Sequence, residues 1–132
     1  PTWHVIYYEA EDGQCPIQEF IDGRKGRDQA KILAWISQLE VQGPQLPRPY
    51  CDLLEDGIHE LRVTASRDQI RALYFFSYRE FIIFTHAFVK RTKEVPQAEI
   101  RKAQRLRVDF LSRYDEQKLR ESINEDLSRP SE

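Results

Sequence analysis

The stretch that decides the fold is Asp56–Pro96, DGIHELRVTASRDQIRALYFFSYREFIIFTHAFVKRTKEVP. It holds three apolar runs rich in β-branched and aromatic residues, GIHELRV, IRALYFF and EFIIFTHAF, with six or fewer residues between neighbours. Gaps that short suit hairpins and are too short for the crossover that parallel strands need, so the runs predict an antiparallel meander. The second and third are apolar at both parities, which predicts central strands covered on parts of both faces. The first alternates.

In an antiparallel hairpin the numbers of opposed residues have a constant sum. Pairing Val63 with Ile70 across the TASRDQ loop therefore places Arg62 opposite Arg71. A tight turn at Tyr78-Arg79 that pairs Ser77 with Glu80 places Arg71 opposite His86. Opposed residues share a face of the sheet, so the simplest turns predict one row, Arg62, Arg71 and His86, bordered by Lys90, Arg91 and Lys93. A slip of one residue in either register would break it.

Two arginines opposed at about 5 Å destabilise a sheet by up to roughly 1 kcal/mol unless a negative group is near. Glu60, on the same face of the first run as Arg62, is the structural candidate for that group. A phosphate is the functional one, because the planar guanidinium fork matches its oxygens. His86 would suit proton transfer near neutral pH, since an unperturbed imidazole titrates at about 6.5. A single histidine at the end of an apolar strand is also an ordinary core residue.

Working outward, Trp3–Tyr8, WHVIYY, reads as a strand ended by the turn residues Glu11-Asp12-Gly13. Cys15-Pro16 opens a short helix, CPIQEFIDG, because proline is tolerated at a first helical position where its missing N–H was unpaired anyway. A second helix is expected from about Arg27 to Val41, with Ile32, Leu33, Ile36 and Leu39 on its apolar side and Gly43-Pro44 as its stop. The proline-rich QGPQLPRPYCD reads as an extended connector. After the meander, Pro96 opens a long helix with Ile100, Ala103, Leu106, Phe110, Leu111 and Tyr114 on one side.

The fold class is therefore α+β: a strand and helical hairpin packed on an antiparallel meander, followed by a C-terminal helix. Residues 1–114 form one domain in this reading. Residues 115–132 are a polar tail, weakly helical or disordered, with Leu119, Ile123 and Leu127 at spacing four.

The chain has 132 residues and a formal net charge of −2, but the charge is unevenly spread. Residues 1–60 carry 5 basic and 11 acidic side chains, residues 61–107 carry 11 and 4, and residues 108–132 carry 4 and 7. Fields decay within a Debye length of about 8 Å at physiological salt, so a polyanion meets the basic middle rather than the average. The two cysteines, Cys15 and Cys51, are expected as reduced thiols in a soluble, cytoplasmic protein, and no apolar run is long enough to span a bilayer. Among the histidines and cysteines there is no CxxC or HExxH spacing, so no metal is expected. There is also no Gly-rich phosphate loop and no GxSxG elbow, and no cofactor is expected.

Four segments, YYEAEDGQCPIQEFID, LLEDGIHELRV, IRALYFF and above all FIIFTHAFVKRTKEVPQAEIRKA, resemble in order the phage-derived branch of the HigB-like toxins, within the RelE/ParE superfamily of type II toxin–antitoxin systems. The resemblance spans roughly residues 3–114. It implies a RelE-like fold and a ribosome-dependent, metal-independent mRNA endonuclease that enters the ribosomal A site, cleaves the message and inhibits translation. It further implies neutralisation by a cognate helix-turn-helix antitoxin. The ribose 2′-OH would attack the adjacent phosphate, with Arg62, Arg71, His86 and Lys90 as the catalytic set and Lys90, Arg91, Lys93 and Arg67 holding RNA.

Two positions depart from that pattern. His59 stands where the family more often has tryptophan, and Arg91 replaces the second lysine of a Lys-Lys pair, which makes Lys90 the better proton-transfer candidate because arginine keeps its proton. Superfamily members of the ParE type act on DNA gyrase and cleave no RNA. That reading, an RNA-binding regulatory module, and a remnant that retains only antitoxin binding are the alternatives.

Overall fold

A computed structural model describes residues 3–128. Its elements in chain order are β1 (His4–Tyr7), α1 (Pro16–Asp22), α2 (Gly26–Gln42), β2 (Cys51–Glu55), β3 (Ile58–Ala65), β4 (Asp68–Ser77), β5 (Phe81–Val89), α3 (Gln97–Arg113) and α4 (Glu116–Ser128). The five strands form one sheet in the order β1-β5-β4-β3-β2, antiparallel throughout except that β1 runs parallel to β5. This is the α+β, RelE-like architecture that the sequence implies.

The helices begin and end for local reasons. Pro16 occupies the first turn of α1, and Pro96, itself extended, precedes α3. α2 stops at Gly43, whose φ of 55° favours a residue without Cβ and where a built Cβ would collide with the indole of Trp3. The chain then makes a 3₁₀ turn over Gly43–Gln45.

Both faces of the sheet are covered, as the apolar parity of β4 and β5 requires. On one face Ile17 and Ile21 of α1 and Ile32, Ile36 and Leu39 of α2 meet Leu61, Val63, Ile70, Ala72, Tyr74, Ile82 and Phe84. On the other, Ile58, Leu73, Phe75, Phe81 and Ile83 meet Ala103 and Phe110 of α3 and Leu119 of α4. Leu119 is 1 % exposed, and Arg120 of α4 pairs with Glu80 (2.6 Å) at the β4–β5 turn.

The meander has four strands rather than three. Cys51 and Asp52, which read as the end of a connector, begin β2, which pairs with β3 through the Asp56-Gly57 turn. Both turn residues have positive φ, 51° and 77°, as a tight two-residue hairpin demands. No helix among the described residues is long and apolar enough to cross a membrane.

Candidate functional site

The β3–β4 register is the expected one: Val63 faces Ile70, and Arg62 faces Arg71. The β4–β5 register is not, and the expectation that His86 faces Arg71 is corrected by two successive shifts. The Tyr78-Arg79 turn forms, with φ of 52° and 59° and Glu80 N–H donating to Ser77 O at 3.3 Å, but the ladder resumes at Ser77–Phe81. A bulge then leaves Thr85 unpaired, because Tyr74 faces Phe84 while Leu73 faces His86. Thr85 is fully buried, and its hydroxyl donates to Leu73 O at 3.3 Å.

One shift would have turned the end of β5 over; two restore its facing but displace it by two residues. Phe88 therefore occupies the place opposite Arg71, and His86 lies opposite Leu73. Beyond Phe88 the ladder continues with Lys90, whose N–H donates to Gln69 O at 2.7 Å. On the other side, Arg62 N–H donates to Tyr50 O at 2.9 Å. Tyr50, Arg62, Arg71 and Phe88 thus stand side by side across the sheet, with Thr64, Gln69 and Lys90 in the next rank.

Arg71 is 6 % exposed and Glu60 3 %, and Glu60 Oε1 lies 2.8 Å from Arg71 Nε. The N–H is not aimed at the oxygen, so this is an ion contact and not a directed hydrogen bond; Nε has no hydrogen-bond partner. Burial pulls the Arg71 guanidinium below its usual pKa, Glu60 pulls the other way, and Arg62 adds to the depression. Arg62 is only loosely held, 3.5 Å from Glu60 Oε2 and 3.4 Å from Asp52 Oδ2, and about a third of its side chain is open to solvent. Glu60 is thus the anion that separates the two like charges.

Arg62 and Arg71 line a cleft of about 430 Å³ with Thr64 and Gln69, and its other walls are Lys31 and Trp35 of α2 and Pro49 and Tyr50 of the connector. It opens where β3 runs on past the last β2 pair, Cys51–Leu61. Of the expected residues, Arg62 and Arg71 come together here, and Lys90 borders them through Gln69. Arg91 and Lys93 are exposed in the loop before α3, and Arg67 is exposed at the β3–β4 turn with φ of 69°. Among the described residues none of Lys31, Arg67, Lys90, Arg91 or Lys93 takes part in an ion pair, nor do Lys25, Arg27, Arg79, Arg101, Lys102, Arg105 and Lys118, whereas Arg24, Arg48, Arg107, Arg113 and Arg120 all do.

His86 is elsewhere. It is 2 % exposed beneath α3, with Nε2 3.4 Å from Glu99 Oε1 and its ring stacked on Phe88. Burial, reinforced by Lys102 and Arg105, drives its pKa down to about 3, so the ring is neutral at physiological pH. His59, the other departure, stacks on Tyr74 and meets Phe76 edge-on, filling an aromatic cluster. Among the described residues no group of three His, Cys, Asp or Glu side chains is placed to hold a metal ion.

Lys31, Trp35, Tyr50 and Phe88 were missed from sequence. Asp56-Gly57 carried a usable signal for Tyr50, since a tight turn there would have extended the meander back to it. The approach of α2 to the edge of β3 has no local signature.

No curated protein matches the chain. A family model described as phage derived protein Gp49-like (DUF891) matches residues 19–108, from within α1 through the entire meander and most of α3. The chain therefore belongs to the phage-derived Gp49-like family.

Proposed function

We propose that the protein is the toxin of a type II toxin–antitoxin pair, a HigB-like member of the RelE/ParE superfamily that cleaves mRNA on the ribosome and so arrests translation. The observation that carries this reading is the Arg62–Arg71 pair set in an open cleft, with Lys31 on its wall and Lys90 beside it, neither of them in an ion pair among the described residues. The nucleophile, the ribose 2′-OH, belongs to the substrate. The protein has only to hold the phosphate, stabilise the charge that develops on it and move protons, and it needs no metal for those tasks.

In this reading the scissile phosphate rests on Arg62, the more accessible guanidinium, while Arg71 behind it supplies fixed positive charge. A well-placed donor to such a transition state contributes about 3 kcal/mol. Lys90 moves the proton, and Arg67, Arg91 and Lys93 hold flanking phosphates of message or ribosomal RNA. His86 leaves the catalytic set, because a neutral ring under α3 meets no substrate. The protein acts in the cytoplasm, and a helix-turn-helix antitoxin silences it.

In a reconstituted translation reaction, primer extension on a reporter mRNA should show new 5′ ends within the translated codons. Lys90→Ala should abolish most of them. Intact message with the wild type would overturn the proposal.

The hold of Glu60 on Arg71 and the burial of His86 beneath α3 favour one second reading, a binding module without chemistry. A binder would lose RNA affinity with rising salt and leave RNA length unchanged. A gyrase-directed toxin would instead leave translation intact and stabilise DNA cleavage complexes.

A further inference from the structure

We infer that the cleft at the open edge of β3 is a nucleotide subsite in which the base beside the bound phosphate stacks on Tyr50. The inference rests on the RNA reading of the Arg62–Arg71 pair and adds to it a surface for the base. Tyr50 is fixed beside Arg62 by the hydrogen bond from Arg62 N–H to Tyr50 O, 2.9 Å long. Its ring lies on the indole of Trp35, centroids 4.8 Å apart and planes 23° from parallel, and Trp35 is itself packed against the core beneath α2. No third ring fits between them, so a base stacks on the outer face of Tyr50, which is 42 % exposed.

The charge around that ring suits a phosphate ester. Lys31 lies one helical turn before Trp35 on α2, and Lys31, Arg62 and Arg71 all line the cleft. Among the described residues their acidic ion-pair partners are Glu60 and Asp52, and Asp52 is shared with Arg48 at 2.8 Å. Arg71, more than nine-tenths buried, adds fixed positive charge to the wall of the cleft, with Glu60 Oε1 2.8 Å from its Nε. The cleft volume, about 430 Å³, is in the range of small-molecule sites, roughly 300–1,000 Å³. An aromatic face is sequence-tolerant, because every base has a π-surface.

Fluorescence anisotropy with a short single-stranded oligoadenylate and an abasic ribose-phosphate oligomer of the same length tests this. The wild type should bind the oligoadenylate on the order of tenfold tighter, the usual scale of one stacked base. Tyr50→Ala should erase that preference while binding the abasic probe as the wild type does, which also reports that the variant is folded, and Tyr50→Phe should keep it. Lys31→Ala should weaken both probes by one common factor. A wild type that binds both equally, or a Tyr50→Ala variant that keeps the preference, overturns the subsite and leaves the RNA reading standing. A wild type that binds neither also overturns the subsite, whereas the RNA reading falls only if the message stays intact in the translation reaction.

Discussion

Arg62 and Arg71 face each other across the β3–β4 ladder, two like charges at neighbouring positions on one face of a small sheet. The arrangement is stable because Glu60 reaches both, at 2.8 Å from Arg71 Nε and 3.5 Å from Arg62 Nη2. The same carboxylate competes with any phosphate that approaches the pair. Under the proposed function, stability and phosphate binding are therefore coupled at Glu60.

Glu60→Gln should destabilise the protein by about 3 kcal/mol, the usual cost of breaking a buried ion pair from one side. Inorganic phosphate should recover part of that loss in the variant and do little to the wild type. Urea midpoints with and without phosphate measure both effects, and an unchanged midpoint would show that the arginines do not depend on Glu60.

The first half of this relationship was legible in the chain, and the second half of the row was not. The loop between Val63 and Ile70 admits few registers, and the alternation of β3 fixes which residues face inward, so Arg62 opposite Arg71 followed from counting. The β5 register depends on two one-residue shifts, one at the Tyr78-Arg79 turn, where Ser77 pairs with Phe81, and one at the Thr85 bulge, and neither leaves a mark on the periodicity of a largely apolar strand. It therefore put Phe88, not His86, beside Arg71. The Trp35–Tyr50 wall joins α2 to the connector across the edge of the sheet, a meeting of distant segments that local patterns do not encode.

The buried His86 sets a pH dependence. With a folded-state pKa of about 3 it stays unprotonated where the unfolded chain, titrating near 6.5, already binds a proton. Above about pH 6.5 this group leaves stability unchanged, and as pH falls from there toward 3 it lowers stability by up to about 1.4 kcal/mol per pH unit. In His86→Leu the loss between pH 6.5 and about 4 should be shallower than in the wild type, read from urea midpoints across a pH series. Parallel curves would mean that Glu99, 3.4 Å away, lets the imidazole charge in place.

The last helix is part of the core. Leu119, 1 % exposed among residues that include Phe81 and Phe110, should cost about 2–4 kcal/mol when truncated to alanine. Thermal unfolding followed by circular dichroism checks this, and a loss under about half a kcal/mol would show that α4 contributes little packing.

The most direct test of the account is the chemistry of the RNA ends left by ribosome-bound cleavage. Attack by the 2′-OH leaves a 2′,3′-cyclic phosphate on the upstream fragment and a 5′-hydroxyl on the downstream one. The wild type should yield those ends, and Arg62→Ala and Lys90→Ala, changed at half-exposed side chains, should lose them while folding normally. Ends bearing a 5′-phosphate, or message left uncut by the wild type, would contradict the claim that this pair of arginines cleaves RNA.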